Sequence, residues 1–544
     1  MSRKELRQDR FKRIPTSTAV LVALVALGGL SLRMHRLGDR SLWEDELSTW
    51  TSIRGTVMDG IRYVQMPHPP LYSLSCRVAA WGEPKPSEAR LRLPAAIYGA
   101  AAALAGGALG AVMFGRRIGC AALIVLAFNA FLVKYSREAR MYSLLALTTT
   151  VSMLCWYALV TRRRPRAAWG AGYVLSTTAM LYAHYFAPLA LAAQVAWWAA
   201  VVMLRRRAEA AGADPTGVIR DAEPGGPLPD GRGSATGRGG RCELVCLVLP
   251  LLLYAPLAVF FVRHVLPNKL GWIQPAPWSA YLHFLGDAVL GLFDEGVAGS
   301  TATRWAHVAA GVFVTAALFC GAITRLGAQR GDVTREDEDA AAGCLLLLFW
   351  AVFVVGGLGA ISLVSNPVFV PRYAITALVP GTLAVLTLPV FRRSRALIGA
   401  AALLLVGNAP VAVTECLSKS GPDGLAGIIR HMNDTLGKDD AVVVVDFPFC
   451  PNYRNPVEMG FEYYGLRSDL PILRMRGEQK RGQLTDSAAL SDPRRLHIVT
   501  LLGDFDATLR ATGRRVDIYA LPPYRYFVVH PASGNPVVHP DAKP

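Results

Sequence analysis

Residues 16–46 read TSTAVLVALVALGGLSLRMHRLGDRSLWEDE, an unbroken apolar run, a short basic stretch, then three consecutive carboxylates at Glu44, Asp45 and Glu46. A run of that length and apolarity crosses a bilayer as a helix. The basic segment SRKELRQDRFKR before it places the N-terminus in the cytoplasm by the positive-inside rule. No small-residue cleavage site precedes Trp43 and many apolar runs follow, so the first helix is expected to be retained rather than removed as a signal peptide. The carboxylates then emerge on the outer face. Acidic residues contribute little to topology, so three of them together at a membrane surface call for a chemical explanation.

Composition supports this start. Of 544 residues, 52% are hydrophobic, and the mean hydropathy of +0.32 is too high for a soluble globular chain. The net charge of +17 would suit nucleic acid, but the Lys and Arg residues sit in short clusters beside apolar runs, where they act as topology signals. No nucleic-acid partner is expected. The nine cysteines include no Cys-x-x-Cys pair and no zinc-like spacing, so they set no framework; no cofactor is expected, with a divalent cation on Asp45, Glu46 and His68 as the alternative.

The remaining runs set a register. Leu71 to Gly82 is twelve residues long and contains Arg77, whereas crossing ~30 Å of hydrocarbon needs about 20 residues. It is expected to lie along the interface. With 91–114 running inward, Arg116-Arg117 is cytoplasmic and the next two spans put Arg137 to Arg140 outside and Arg162 to Arg166 inside; counting 71–82 as a span would reverse every cluster. A pair of spans over 168–204 has Tyr182-Ala183-His184-Tyr185-Phe186 at its outer turn. Further spans are expected near 243–263, 306–326, 342–364, 372–391 and 396–414, about eleven in all, which puts the C-terminus outside. Arg263 to Trp305 reads as an outer loop, with Trp272 and Trp278 as interfacial anchors. Gly106-x-x-x-Gly110 reads as helix packing.

The expected organisation is therefore a basic cytoplasmic tail (1–15), an all-α polytopic membrane domain (16–414) and a small extracytoplasmic α/β domain (415–544). Within the membrane domain, 33–90 forms an outer loop with juxtamembrane helices. Residues 205–241, rich in Gly, Pro, Asp and Arg, form a disordered cytoplasmic linker. In the last domain 440–446 and 497–502 read as buried strands and 423–436 as a helix. Cys416 and Cys450 both lie there and could pair in an oxidising compartment.

Parity gathers Glu44, Asp45, Glu46, His68, Arg137, Glu138, Arg140, His184, Lys269 and Arg372 at outer span ends. Cations that hold a departing phosphate, with a carboxylate that takes a proton from an incoming hydroxyl, make the set that transfer from a polyprenyl phosphate needs. Taken singly, arginines at span ends usually snorkel to headgroups and lone histidines are usually structural. A nucleotide-sugar transferase is disfavoured, because the Asp-x-Asp matches at 504–506 and 337–339 read as solvated loops. A lipid-linked saccharide flippase or transporter is the stronger rival, but transporters place charges near the bilayer midplane in internal repeats, and here the charges cluster at outer span ends.

Five motifs in order carry a resemblance: Trp43-x-Asp45-Glu46, His68-Pro69-Pro70-Leu71-Tyr72, Ser136-Arg137-Glu138-Ala139-Arg140-Met141-Tyr142, Ala183-His184-Tyr185-Phe186, and Pro371-Arg372-Tyr373. Over about residues 15–415 the chain resembles the GT-C superfamily of membrane glycosyltransferases, in the bacterial branch related to protein O-mannosyltransferases and lipid A aminoarabinose transferases. The resemblance implies inverting transfer of a hexose or pentose from a polyprenyl-phosphate-linked donor to a glycan, lipid or protein acceptor, at the outer face of a plasma (inner) membrane. It implies Asp45 as catalytic base with Glu46 as its partner. His68, Arg137, Arg140, Tyr142, His184, Lys269, Arg372 and Tyr373 become the candidate substrate and phosphate contacts.

Overall fold

The computed structural model describes residues 15–56, 68–161, 167–210, 235–265, 276, 278–290, 301–327, 335–364, 367–388, 394–417, 424–446, 455–467, 469–478, 483–486, 488–500, 506–521 and 524–531. Helices dominate as far as Leu417. They are α1 (Thr16–Met34), α2 (Glu44–Ile53), α3 (Leu71–Ala80), α4 (Glu88–Phe114), α5 (Arg116–Ala127), α6 (Ala130–Tyr135), α7 (Tyr142–Thr161), α8 (Ala167–Leu181), α9 (Ala187–Ala210), α10 (Ala235–Phe260), α11 (Trp278–Leu290), α12 (Thr301–Gly327), α13 (Arg335–Ala351), α14 (Gly357–Val364), α15 (Leu378–Leu386) and α16 (Ser394–Leu417). Among the described residues six helices are long and apolar enough to cross a membrane: Thr16–Met34, Glu88–Phe114, Tyr142–Thr161, Cys242–Arg263, Ala340–Val364 and Arg395–Leu417. Of the other expected spans, α9 and α12 are long helices whose described apolar stretches, Ala187–Met203 and His307–Cys320, are shorter, and the rest are shorter or interrupted helices.

The third expected span is one of the interrupted ones, broken into α5 and α6 at Phe128-Asn129. Asn129 caps α6 by accepting from Leu132 N at 2.9 Å, and its amide donates to Ala288 O and to Asn408 Oδ1, each at 2.8 Å. Asn408 in turn donates to Val289 O and Leu404 O, both at 2.9 Å. Backbone groups freed by a break must be satisfied inside the protein, and this buried Asn pair does so. The break turns residues 136–141 under the start of α2.

Small residues set the close contacts here. A Cβ on Gly119 of α5 would lie 2.6 Å from Gly107 O of α4, and one on Gly110 would lie 2.8 Å from Leu383 Cδ2, so the Gly-rich face of α4 packs helices as expected. A Cβ on Gly99 would fall 1.8 Å from Ser136 Oγ, so that glycine admits the 136–141 turn.

The structure departs from the expected outer loop at 263–305. Within it α11 is packed against α12, with Phe284, Leu285, Ala288 and Val289 buried. A Cβ on Gly286 would meet Gly311 N at 2.3 Å. Thirteen residues, Pro-Trp-flanked, lack the length that marks a span, which hid this helix from the sequence. The run 337–339, expected in a loop, lies in the first turns of α13. Lys269, Trp272, Cys450, residues 504–505 and most of the 205–241 linker lie outside the described residues.

The chain closes with β1 (Ala441–Asp446), β2 (Ile472–Glu478), β3 (Gln483–Asp486), β4 (Leu496–Thr500), β5 (Val516–Leu521) and β6 (Tyr524–Val529), in the order β3-β2-β1-β4-β6-β5. β1 is parallel to both β2 and β4, and the outer pairs are antiparallel. The continuous Ala-Val-Val-Val-Val of β1 suits a central strand buried on both faces. One face is covered by α17 (Gly424–Thr435), whose Leu425, Ile428, Ile429 and Met432 recur at helical spacing, and by α18 (Pro456–Tyr464). α18 is closed at one end by the Asn455 cap and Pro456, and at the other by Gly465 at φ 78°.

α18 also docks the sheet on the segment that holds α2. Trp50 and Tyr463 pack edge to face at 5.0 Å, Tyr463 donates to Pro86 O at 2.7 Å, and Leu42 N donates to Tyr464 Oη at 2.6 Å. The domain therefore roofs α2.

Candidate functional site

The site is assembled around the first turn of α2. Trp43 stands before the helix in extended conformation, and Glu46 Oε2 accepts from Trp43 N at 3.3 Å, satisfying one of the amides that a helix start leaves orphaned. Three carboxylates in a first turn also suit the helix dipole.

Glu46 is fully engaged. Arg92 of α4 donates Nε to Oε1 at 2.7 Å and Nη2 to Oε2 at 2.6 Å, and Ala139 N donates to Oε1 at 2.7 Å. Arg92 spends its other N–H groups on the carbonyls of Leu37, Arg40 and Ser41 at 2.8–3.0 Å. Both side chains are buried. Glu46 thus fastens α2 to α4 and to the 136–141 turn.

One residue earlier on the helix, Asp45 points about 100° away. Its Oδ2 lies 3.7 Å from Arg140 Nε and 3.5 Å from Arg372 Nη2, within ion-pair range. Asp45 Oδ2, Arg140 Nε and the Tyr142 hydroxyl are buried with no hydrogen-bond partner. Buried polar groups are normally satisfied, so three unsatisfied ones converging here mark a place built for something else to bind. Arg140 is positioned from its other side: Nη1 donates to Asp45 O at 3.0 Å, and Nη2 donates to His68 Nε2 at 2.6 Å. The Arg372 guanidinium sits 5.4 Å from the Trp43 ring and 5.9 Å from each of the Tyr142 and Tyr373 rings, an aromatic cup that suits a cation.

Electrostatics sort the remaining groups. An arginine only donates, so His68 accepts as a neutral imidazole; burial, then Arg140, hold it well below its ordinary pKa. His184 is lowered to about 3 by burial and by Arg140 and Arg372; its Nδ1 accepts from Phe186 N at 3.2 Å, and its ring packs 5.0 Å from that of Tyr373. Glu44 moves the other way, raised to about 7 by burial and by neighbouring Asp45, against the opposing pull of Arg372 and Arg140.

That shift sets a pH dependence. A carboxyl whose pKa is higher in the folded state binds more protons there, so its contribution to stability declines as pH rises from the unfolded value near 4.5 through about 7. Glu44→Gln should therefore gain thermal stability over the wild type as pH is raised from 5 to 8, with little difference at pH 5. Melting both proteins in detergent at the two pH values checks this, and an equal difference at both would refute it.

The structure brings Asp45, His68, Arg140, Tyr142, His184, Arg372 and Tyr373 together. Arg137 is elsewhere: it donates to the carbonyls of Arg33 at 2.9 Å and His35 at 2.6 Å, closing the C-terminal end of α1. Lys269 lies outside the described residues. Arg92, absent from the sequence-derived set, is the counter-ion of Glu46; its signal was an arginine inside the apolar start of α4. Among the described residues no group of three or more His, Cys, Asp or Glu could hold a metal ion.

No protein-family model and no curated protein sequence matches this chain. Among solved structures it is similar to ArnT from Cupriavidus metallidurans in the apo state, with 12% identity, 94% of this chain and 98% of that chain covered, and a TM-score of 0.53. The same protein bound to undecaprenyl phosphate gives 13% identity, coverage of 96% and 99%, and a TM-score of 0.50. Sequence identity this low speaks for architecture alone: over nearly the full length of both chains, this chain has the fold of ArnT.

Proposed function

We propose that this chain is an integral membrane glycosyltransferase that moves a sugar from a polyprenyl-phosphate donor to an acceptor hydroxyl at the outer face of the inner membrane. In this reading about eleven helical segments cross the bilayer, the N-terminus is cytoplasmic, and the sheet domain from about residue 415 is extracytoplasmic. The observation that carries the reading is Asp45 Oδ2, buried and unsatisfied between two guanidiniums. An isolated carboxylate would be hydrogen-bonded there; one that receives a proton during reaction is left accessible to its substrate.

The mechanism follows from the chemistry of each group. Asp45 takes the proton as the acceptor oxygen attacks the anomeric carbon from the face opposite the phosphate. The bond from that carbon to the phosphate oxygen breaks, its electrons stay on the phosphate, and the anomeric configuration inverts. Arg140 and Arg372 stabilise the charge that develops on the leaving phosphate, where fixed donors in a water-poor site act most strongly. Tyr142 and Tyr373 hold Arg372 in place, and neutral His68 and His184 pack the wall. Glu46 is a positioning residue in this scheme, because its oxygens are occupied. The undecaprenyl phosphate bound by ArnT, the chain of similar fold, supports a donor of this lipid class.

Arg372→Ala should weaken binding of undecaprenyl phosphate to the purified protein by roughly ten- to hundred-fold, the loss of one charge-assisted contact. Binding measured in nanodiscs checks this. Unchanged affinity in a folded variant would remove Arg372 from the phosphate site.

A further inference from the structure

The β5–β6 hairpin forms one edge of the C-terminal sheet. Leu521 pairs with Tyr524, and the two residues between them are Pro522 and Pro523, so Tyr524 stands at the hairpin tip. Side chains alternate along β6. Phe527 and Val529 enter a small core with Val443, Val445 and Ile498, whereas Tyr524, Tyr526 and Val528 join the large core that contains Leu42, Leu47 and Trp50. Alternation thus turns Tyr524 to the sheet face that carries α18, the helix that docks on α2.

Tyr524 is 2% exposed and its hydroxyl has no hydrogen-bond partner. A buried tyrosine usually finds one. Burial holds this phenol above its ordinary pKa, with Glu44 and Glu46 adding to the effect, so both carboxylates lie within electrostatic reach. Glu46 is occupied by Arg92, Ala139 and Trp43. Glu44 is the neighbour that remains.

Resting on the reading of Asp45 as the base, we propose that Tyr524 and Glu44 form the acceptor subsite, and that the acceptor is a glycan presenting a second hydroxyl beside the one that attacks. Asp45 faces the attacking hydroxyl. The Tyr524 phenol and the Glu44 carboxyl, one helix position away, supply a donor and an acceptor for the neighbouring hydroxyl, a pairing that suits a polyol better than a single serine or threonine side chain. The C-terminal domain then selects the acceptor, while the membrane domain holds the donor.

The test uses the full-length protein in nanodiscs. Donor lipids come from membranes of a strain lacking the protein, and glycan prepared from that strain's envelope serves as the acceptor probe. Tyr524→Phe keeps the ring and removes the hydroxyl: the glycan concentration for half-maximal transfer should rise about ten-fold, with undecaprenyl phosphate affinity and thermal midpoint unchanged. Should Tyr524→Phe yield no folded protein, Glu44→Gln carries the same expectation for the glycan. Saturation at the wild-type glycan concentration would overturn the subsite, and label appearing on protein instead of glycan would overturn the acceptor class. Failure of the wild type to bind undecaprenyl phosphate would instead overturn the donor reading on which the subsite rests.

Discussion

Asp45→Asn should cut sugar transfer by roughly 10²–10⁴-fold, the usual contribution of a general base, while binding of undecaprenyl phosphate stays the same or tightens. Asparagine keeps the shape of aspartate and cannot take the proton. The guanidiniums of Arg140 and Arg372 remain in place and lose a competing negative charge 3.5–3.7 Å away. Loss of turnover with retained lipid binding is therefore the signature, the opposite of that expected for Arg372→Ala. Parallel rate and affinity measurements on the two variants decide it. If Asp45→Asn transferred at a near-normal rate while Glu44→Gln abolished transfer, the base would move one residue along the chain.

Arg92→Met should be the most destabilising single change near the site. Arg92 and Glu46 are buried together, and removing one partner of a buried ion pair typically costs about 3–5 kcal/mol, because the other charge stays uncompensated. Here Glu46 would keep only the amides of Ala139 and Trp43, and the carbonyls of Leu37, Arg40 and Ser41 would lose their donor. The variant should yield little folded protein. Adding Glu46→Leu should recover a substantial part of the thermal stability, since an apolar pair can replace a buried ionic one. Transfer should stay low, because the 136–141 turn carrying Arg140 is no longer tied to α2. A double variant with normal activity would show that Glu46 positions nothing.

The site motifs stood out in the sequence because clustered acidic residues beside an apolar run have few structural uses, and because parity of the basic clusters gathers the motifs on one expected side. The six long helices and the strands at 441–446 and 496–500 follow equally directly from runs of apolar residues. What each polar group does was less accessible. Glu46 and Asp45 are adjacent and chemically alike, and only the helical turn between them sends one to Arg92 and the other to Arg140 and Arg372. Arg137 and Arg140 share one motif, yet the first closes α1 and the second faces the acid. The break at Asn129 depends on Asn408, 279 residues away, and nothing local announces it. α11 is too short to read as a span and is recognisable only by what it packs against. Tyr524 comes within electrostatic reach of Glu44 and Glu46 through the hairpin of a domain whose docking no local pattern records.

In the proposed reaction this chain breaks the bond between sugar and polyprenyl phosphate. The direct measurement supplies purified protein in sealed vesicles with labelled lipid-linked sugars extracted from a strain that lacks it, together with that strain's envelope fraction, and follows both the label and the lipid. Label should leave the lipid and appear on the acceptor with free polyprenyl phosphate as co-product, and Asp45→Asn should stop this. Lipid-linked sugar that crosses the vesicle membrane intact, at a rate untouched by Asp45→Asn, would contradict it and identify the chain as a flippase.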